Sequence, residues 1–555
     1  MAGLFATKSV DRLISDSECH EHRLKKTLTA WDLIAIGVGC IIGTGIFVLT
    51  GVVAISDAGP GIILSFVICG IACVFAALCY AEFASLIPIA GSAYTFSYAS
   101  LGELIAWIIG WDLILEYGVS TAAVASGWSG YFVKFLGFFR RFFGIKWLKW
   151  PVRWALSPTS TAMVHGHLVH GIVDLPALLS TLVVTWLLIV GIKESANVNN
   201  IIVAIKVSIS IFFIGLGLYF VHPSYWHPIV PKFVPYHSVS SSSQNAARKI
   251  TKPGTVKSGI NIWKTELWKL IAEGFGYKIQ QGFGGWAGIF LGAAIIFFAY
   301  IGFDAVSTTS EEAKNPARDL PIGIIGSLLI CTVLYILMSA VFTGIVKCNG
   351  TLTLASLGVN KRAPLVYAFQ LVHNPWVSHY AAFLITIGAL CGITSVLIVT
   401  LLGQSRIFFA MGRDGLLPAW ISNVHPRYQT PWIGTLITGV VVAVVSGFVP
   451  LGDIAEMANI GTLFAFVLVS AGIIFLRKYQ PEKKAAFRTP LVPYIPLLAI
   501  FFCGVLMLSL PIITWIRFVV WLVIGLGIYF SYGNKHSALR NPVRMTSDSS
   551  ETPCP

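Results

Sequence analysis

Three ionisable residues lie in runs of sequence that are otherwise apolar: Lys206 in NNIIVAIKVSISIFFIGLGL, and Asp112 with Glu116 in GWDLILEYG. In a helix crossing a bilayer such a charge costs about 2.5–3.5 kcal/mol at mid-depth on insertion scales, which makes each a functional candidate. Lys206 stands about nine residues into its run, too deep to snorkel easily to the interface. An amine whose charge is that costly can release and regain its proton, which is the chemistry of proton coupling. The bland alternative is a lysine bonded permanently to backbone carbonyls. Asp112 and Glu116 are four apart and share one face of a helix.

A second set of residues offers backbone rather than side chains. IGVGCIIGTGIF, residues 36–47, places Gly37, Gly39, Gly43 and Gly45 in an apolar stretch, although glycine weakens helices. A dinucleotide-binding turn is excluded, because the spacing misses G-x-G-x-x-G and no soluble βαβ unit surrounds it. Gly39 and Gly43 form a G-x-x-x-G pair suited to close helix packing, which leaves Thr44 and Gly45 without a role. A helix broken at mid-membrane gives them one. Freed backbone is tolerated beside a cavity, and the N–H groups that open the second half attract an anion. Gly43, Thr44 and Gly45 would then offer amides to a carboxylate. IIFFAYIGFDAVST, residues 295–308, is interrupted in the same way at Gly302 and Asp304, as expected of repeats with breaks at matching positions. Carbonyls freed there, at Phe298, Ala299 and Ile301, suit an ammonium group. Donors on one broken helix and acceptors on the other fit an amino acid.

Positioning these residues requires a membrane frame. The chain has 555 residues, 56% hydrophobic and 11% charged, where soluble domains carry about a quarter charged. Hydropathy over a window of about 19 residues predicts twelve spans, near 31–55, 62–87, 101–136, 174–191, 197–221, 286–309, 321–346, 376–410, 431–449, 453–476, 494–511 and 515–532. Breaks in the first and sixth suggest five helices repeated as five. Residues 31–221 form the first repeat, 286–476 the second and 477–532 the last two helices; 1–30 and 533–555 are tails. Arg23, Lys25 and Lys26 before the first span, and RKYQPEKKAAFR at 477–488, put both termini in the cytoplasm by the positive-inside rule. RRFFGIKWLKWPVR at 140–153 and the basic segment 232–278 oppose that orientation. The start of the chain lacks the pattern of a signal peptide.

Residues 222–285 form an extracellular loop, with SVSSSSQ at 238–244 as a linker. Within it INIWKTELWKLIAEGF, 260–275, sets Trp263, Leu267, Trp268 and Ile271 at helical spacing. That fits a helix lying on the membrane surface ahead of one binding a partner. The net charge of +14 does not point to nucleic acid, since no RNA motif or recognition helix accompanies it. The ten cysteines show no C-x-x-C pair, so neither a disulfide framework nor a zinc site is indicated. His165, His167 and His170 in HGHLVH read as solvated rather than metal-binding. No cofactor and no metal is expected, and no His inside the spans, terminal positions apart, supports an enzyme.

These stretches resemble the amino acid–polyamine–organocation (APC) superfamily and, within it, the cationic amino acid transporter family. The resemblance lies in GVGCIIGTGIFVLTG (37–51), CYAEFASLIPIAGSAYTFSYASLGELIAWIIGWDLILEY (79–117), GIKESANVNN (191–200), FFAYIGFDAVSTTSEEAKNPARDLPIGI (297–324) and GQSRIFFAMGRDGLLP (403–418), and covers roughly residues 25–535. It implies an all-α polytopic membrane protein, with a LeuT-like five-plus-five inverted repeat, broken helices 1 and 6, and two extra helices. Twelve spans resemble the bacterial type, since vertebrate members carry more.

The resemblance also implies roles. Gly43, Thr44 and Gly45, with Ile42 beside them, would hold the substrate carboxylate. The carbonyls of Phe298, Ala299 and Ile301, near Phe303, would hold the ammonium, with Phe298 as an aromatic lid. Lys206 would stand where sodium-coupled relatives hold a metal ion, facing Gly39 and Cys40 on one side and Thr394 and Ser395 on the other, with Glu116 as its partner. Leu397 would meet the substrate side chain, and its bulk favours small neutral amino acids, with cationic ones a further class. The expected function is proton-coupled amino acid uptake by alternating access across the cell membrane. The alternative is a pH-independent exchanger or sensor on the same scaffold. The expected partners are an amino acid and the lipid bilayer; the sequence does not give the oligomeric state, a monomer being one option.

Overall fold

The computed structural model describes residues 6–8, 27–89, 91–145, 150–164, 167–190, 196–235, 265–274, 282–350, 362–428, 430–479, 481–482 and 485–540. Among the described residues eight helices are long and apolar enough to cross a membrane, and four shorter apolar helices, Ala30–Ile41, Leu175–Val190, Trp432–Phe448 and Tyr494–Leu508, accompany them. The segment Gly45–Leu86 is divided by a turn at Gly59, whose φ of +58° suits glycine. With that division the helices make twelve crossings, the all-α polytopic architecture the sequence predicts.

The first span consists of Ala30–Ile41 followed by π and α turns from Gly45 to Ala58. Spans two to five are Ile62–Leu86, Glu103–Phe143, Leu175–Val190 and Ala196–Leu218. The sixth runs from Gly285 to Glu312 in separate pieces, and the seventh is Pro316–Ile345. Spans eight to twelve are Ala382–Arg413, Trp432–Phe448, Leu451–Tyr479, Tyr494–Leu508 and Ile512–Ile528. The third is longer than expected, reaching Phe143 before Gly144 ends it in the left-handed region. Two short helices outside the spans, Ser92–Ser100 and Pro364–Gln370, follow the second and seventh.

The packing pattern reveals a two-fold relation between the halves. The second span packs on the seventh, the third on the eighth and the fourth on the ninth. Each of these helices therefore lies against its own counterpart, as elements near a pseudo-dyad must. Other pairs come in twos: the first packs on the seventh and the sixth on the second, the first on the fifth and the sixth on the tenth. Five crossings per repeat is an odd number, so the second copy starts from the opposite face and is inverted. The ends agree with this. Leu28, before the first span, is bridged to Ala313, after the sixth, while Gly284 N–H donates to Asp57 O at the other end, 2.8 Å.

Without a hydrophobic drive between helices in lipid, close packing needs small residues at the crossings. A Cβ on Gly388 would lie 2.3 Å from Ile209 of the fifth span, and one on Gly439 2.0 Å from Thr185 of the fourth. The start of the first span is fixed by Asp32, whose carboxylate accepts from Thr29 N–H at 2.9 Å and from Asn200 of the fifth span at 3.0 Å.

In the loop after the fifth span, helix Leu267–Gly274 docks on the turn between spans eleven and twelve through Leu267 N–H to Leu510 O, 3.1 Å, and Ile512 N–H to Thr265 O, 2.9 Å. Trp268 and Ile271 remain exposed, as the membrane-surface reading expects; Trp263 lies outside the described residues. His167 and His170 belong to the hairpin Thr161–Val164/His167–His170. Three apart on a strand, they point to opposite faces, so they do not chelate together. His165 lies outside the described residues.

Candidate functional site

The first span breaks where its glycines concentrate. Ile42 leaves the helix at φ −74° and ψ 99°, its N–H still bonded to Val38 O. Phe47 N–H resumes the ladder on Gly43 O at 3.2 Å. The amides that open a helix have no partner within it, so Gly43, Thr44 and Gly45 present donors the helix does not use. Tyrosines from other spans take exposed carbonyls: Tyr335 OH donates to Ile41 O at 2.7 Å and Tyr131 OH to Phe47 O at 2.8 Å. Thr44 Oγ1 donates to Val124 O of the third span at 3.3 Å. Gly45 is small for reasons of packing, because a Cβ there would lie 2.3 Å from Ala299 Cα. The two broken helices meet at that point.

The sixth span is α-helical over Gly285–Ile296 and tightens to a 3-10 turn at Phe297–Tyr300. It opens at Ile301, ψ 130°, and Gly302, φ +125°, before Asp304–Glu312 resumes. Besides that backbone requirement, a side chain at position 302 would strike Cys40 of the first span at 2.9 Å. Asn459 of the tenth span donates to Ala294 O and Ile295 O at 2.7 and 2.9 Å.

A cavity lies between the two breaks. The first span lines it with Cys40, Ile41, Gly43, Thr44 and Gly45, and the sixth with Phe298, Ile301, Gly302, Asp304 and Ala305. The third adds Glu116, Tyr117, Ser120 and Val124, and the eighth Val396, Val399 and Thr400. Nine residues singled out in the sequence therefore line this one cavity: Cys40, Gly43, Thr44, Gly45, Glu116, Phe298, Ile301, Gly302 and Asp304. Others stand behind it. Ile42 is fully buried, Ala299 packs on Gly45, and Phe303 lies edge-on to Tyr80 and against Phe466. Leu397 is also set back: Val396 reaches the cavity instead, one residue and about 100° around the helix.

Lys206 is fully buried, and its Nζ donates to Gly39 O at 2.5 Å. It lies beside Cys40 and, unforeseen, beside Cys331 of the seventh span. From the eighth span it is Gly392 that faces it: a Cβ there would lie 3.2 Å from Lys206 Cγ. Thr394 Oγ1 instead accepts from Trp128 Nε1 at 2.9 Å, and Ser395 Oγ turns back to Gly392 O at 3.4 Å. Glu116 is not the partner of Lys206. Its charged neighbours are Asp304 and Asp112, and Tyr117 OH donates to Asp304 Oδ2 at 3.0 Å. The third span turns its acidic side toward the sixth, whereas the lysine grips the first from outside. Ser120 and Val124 follow Glu116 at steps of four, a helical stripe legible in the sequence; Asp304 was legible only as an interruption.

Residues 28–529 match the amino acid permease family. The branched-chain amino acid permease BcaP of Bacillus subtilis is 44% identical, over 97% of this chain and 99% of its own. The methylthioribose transporter of the same organism is 41% identical, over 97% of this chain and all of its own. The vacuolar cationic amino acid transporter 4 of Arabidopsis thaliana is 36% identical, over 87% of this chain and 68% of its own. Similarity of this length, joined to paired broken helices around one cavity, establishes that the chain belongs to the amino acid permease family of the APC superfamily.

Proposed function

We propose that this chain is a proton-coupled carrier of small neutral and branched aliphatic amino acids, working by alternating access in the cell membrane with both termini cytoplasmic. The observation that carries the reading is the pair of breaks facing one cavity. The amides of Gly43, Thr44 and Gly45 supply donors for the carboxylate, and the turn from Phe298 to Ile301 supplies carbonyls for the ammonium. Phe298, at the cavity wall, serves as the aromatic lid. Val124, Val396 and Val399 offer an apolar wall, which suits an aliphatic side chain; the BcaP relative agrees with that choice.

Proton coupling is assigned to Lys206 and to Glu116 with Asp304. A charged Lys206 binds Gly39 O more strongly than a neutral one, since hydrogen bonds from ionised donors are about twice as strong. Its protonation thus sets how firmly the fifth span holds the first. The carboxyl groups of Glu116 and Asp304 border the cavity directly and give a proton a second place beside the substrate.

A second reading has an observation of its own. Glu116, Asp304, Ser120 and Thr400 give the cavity a polar side that sugar hydroxyls would satisfy, and one relative is named a methylthioribose transporter. Uptake into proteoliposomes with an inside-alkaline gradient tests both. Labelled leucine and alanine should accumulate, and Lys206→Ala should lose the pH dependence while keeping exchange. Equal uptake with and without the gradient would remove proton coupling and leave the exchanger. Accumulation of labelled methylthioribose without either amino acid would establish the second reading.

A further inference from the structure

The two broken helices are braced alike from outside the cavity. The fifth span sends Lys206 Nζ to Gly39 O, and the tenth sends Asn459 Nδ2 to Ala294 O and Ile295 O. Fifth and tenth spans are counterparts under the pseudo-dyad, as are the first and sixth. Each donor meets the last α-helical turn ahead of a break: Gly39 stands just before Ile41, where the first helix ends, and Ala294 and Ile295 just before Ile296, where the α-helix gives way to the 3-10 turn Phe297–Tyr300. The carbonyls of a helix's final turn lack partners within it, so an outside donor is what such a break needs.

Asn459 is fully buried, and its Oδ1 has no hydrogen-bond partner. A flipped amide would set that oxygen against two acceptors, so the carbonyls dictate the orientation. Leucine would fill the same space and remove the orphaned Oδ1, but it would leave Ala294 O and Ile295 O without this donor. Packing alone therefore does not account for an amide here. Its two donors do.

We propose that Asn459 is a positioning residue for amine capture: by taking up the carbonyls at the end of the sixth span's α-helix, Gly285–Ile296, it holds the turn that follows, from Phe298 to Ile301, open to the substrate ammonium. It is the counterpart of Lys206 that does not titrate. The ammonium side of the site is held at every pH, while the carboxylate side answers to the protonation of Lys206. This inference rests on the reading of the cavity as an amino acid site.

The titratable groups around the tenth span include Asp112 and Glu116 from the third, Tyr80 and Glu82 from the second, Cys503 from the eleventh, Asp304 from the sixth and Arg517 from the twelfth, with Asp453, Glu456, Arg477, Lys478 and Tyr479 on the tenth itself. None of them hydrogen-bonds Asn459. An aspartate placed there is consequently a clean probe. Protonated, it donates one hydrogen bond; ionised, it repels both carbonyl oxygens.

The test measures KM and kcat for labelled leucine in proteoliposomes across acid to alkaline pH, for the wild type, N459L and N459D. N459L should raise KM about tenfold, the equivalent of one lost binding contact of about 1.4 kcal/mol. N459D should approach wild-type KM at acid pH and lose affinity steeply at alkaline pH, beyond any change in the wild type. N459D compared with itself across pH keeps the test decisive if N459L does not fold. Wild-type KM in N459L, or a wild-type pH profile in N459D, overturns this inference alone. A wild type that carries no amino acid overturns the site reading beneath it as well.

Discussion

A Cβ on Gly45 would sit 2.3 Å from Ala299 Cα, with main chain on both sides and nothing free to give way. Gly45→Ala must push the two broken helices apart and carry the amides out of register with the carbonyls. Misplacing binding groups by about 1 Å can cost about a hundredfold in rate. G45A is therefore expected to insert in the membrane yet take up labelled leucine about a hundredfold more slowly; near-wild-type uptake would contradict the contact. Val399 bears on selectivity instead. It reaches the cavity from the eighth span, so Val399→Leu takes up room that a branched side chain needs. One methylene in an apolar pocket is worth about 10–200-fold in discrimination, so kcat/KM for leucine should fall against that for alanine by at least about tenfold; an unchanged ratio would move the side-chain pocket elsewhere. Residue types were readable at the breaks, because glycine and a lone carboxylate stand out against apolar neighbours. The Leu397 expectation slipped by one position because an alignment fixes a helix but not its rotation, and one residue is a quarter-turn. Ala299 is expected to offer its carbonyl as an acceptor to the substrate ammonium; its close approach to Gly45, which makes room for it, depends on a contact that no local pattern encodes.

Elements add what residues cannot show alone. The helices themselves were legible from long apolar runs, and both breaks fell within them, since hydropathy and glycine content are local. The braces were legible only in part: Lys206 beside Gly39 follows from the family resemblance and not from a local pattern, and the Tyr335 brace from neither. Lys206 meets Gly39 across 167 positions and Tyr335 meets Ile41 across 294, so their pairing exists only after the bundle forms. The short helices Ser92–Ser100 and Pro364–Gln370 were missed for a different reason: neither is long enough to fill a span-sized window. Tyr335→Phe isolates one brace, since it removes the hydroxyl that holds Ile41 O at 2.7 Å and leaves the ring in place. A single hydrogen bond contributes about 0.5–1.5 kcal/mol net, so detergent-solubilised Y335F should melt a few degrees lower and regain part of that difference with saturating leucine, which on the proposed reading binds the same break. A Tm equal to the wild type's would show that the carbonyl finds another donor and that the break does not depend on the seventh span.

At the scale of the molecule, the two faces of the bundle are held by ties of different kinds. On the face where the chain begins, Thr27 and Leu28 N–H donate to Glu312 O, both at 2.9 Å, and Lys314 N–H returns to Leu28 O at 2.9 Å. Nearby, Glu82 takes both arms of Arg477, and Glu103 accepts from Tyr529 at 2.9 Å and pairs with Arg540 at 3.1 Å. On the far face, Asp174 accepts from Arg362 and Ser129, which ties the approach to helix Pro364–Gln370 to the third and fourth spans. The proposed alternating access requires each set to part while the other holds. The bonds around Leu28 and Ala313 are main-chain bonds that no single side-chain substitution removes, so the way to test them is to make them permanent. Bridged residues are close enough for a disulfide, and L28C/A313C should form one on mild oxidation. Uptake should then stop and return with a reductant, while either single variant keeps its activity under the same oxidant. The single variants control for the native cysteines, which are buried among the described residues except Cys391. If the cross-linked protein still delivers leucine to the vesicle interior, the first and sixth spans do not separate at this face during transport, and the route through this face must open elsewhere in the bundle.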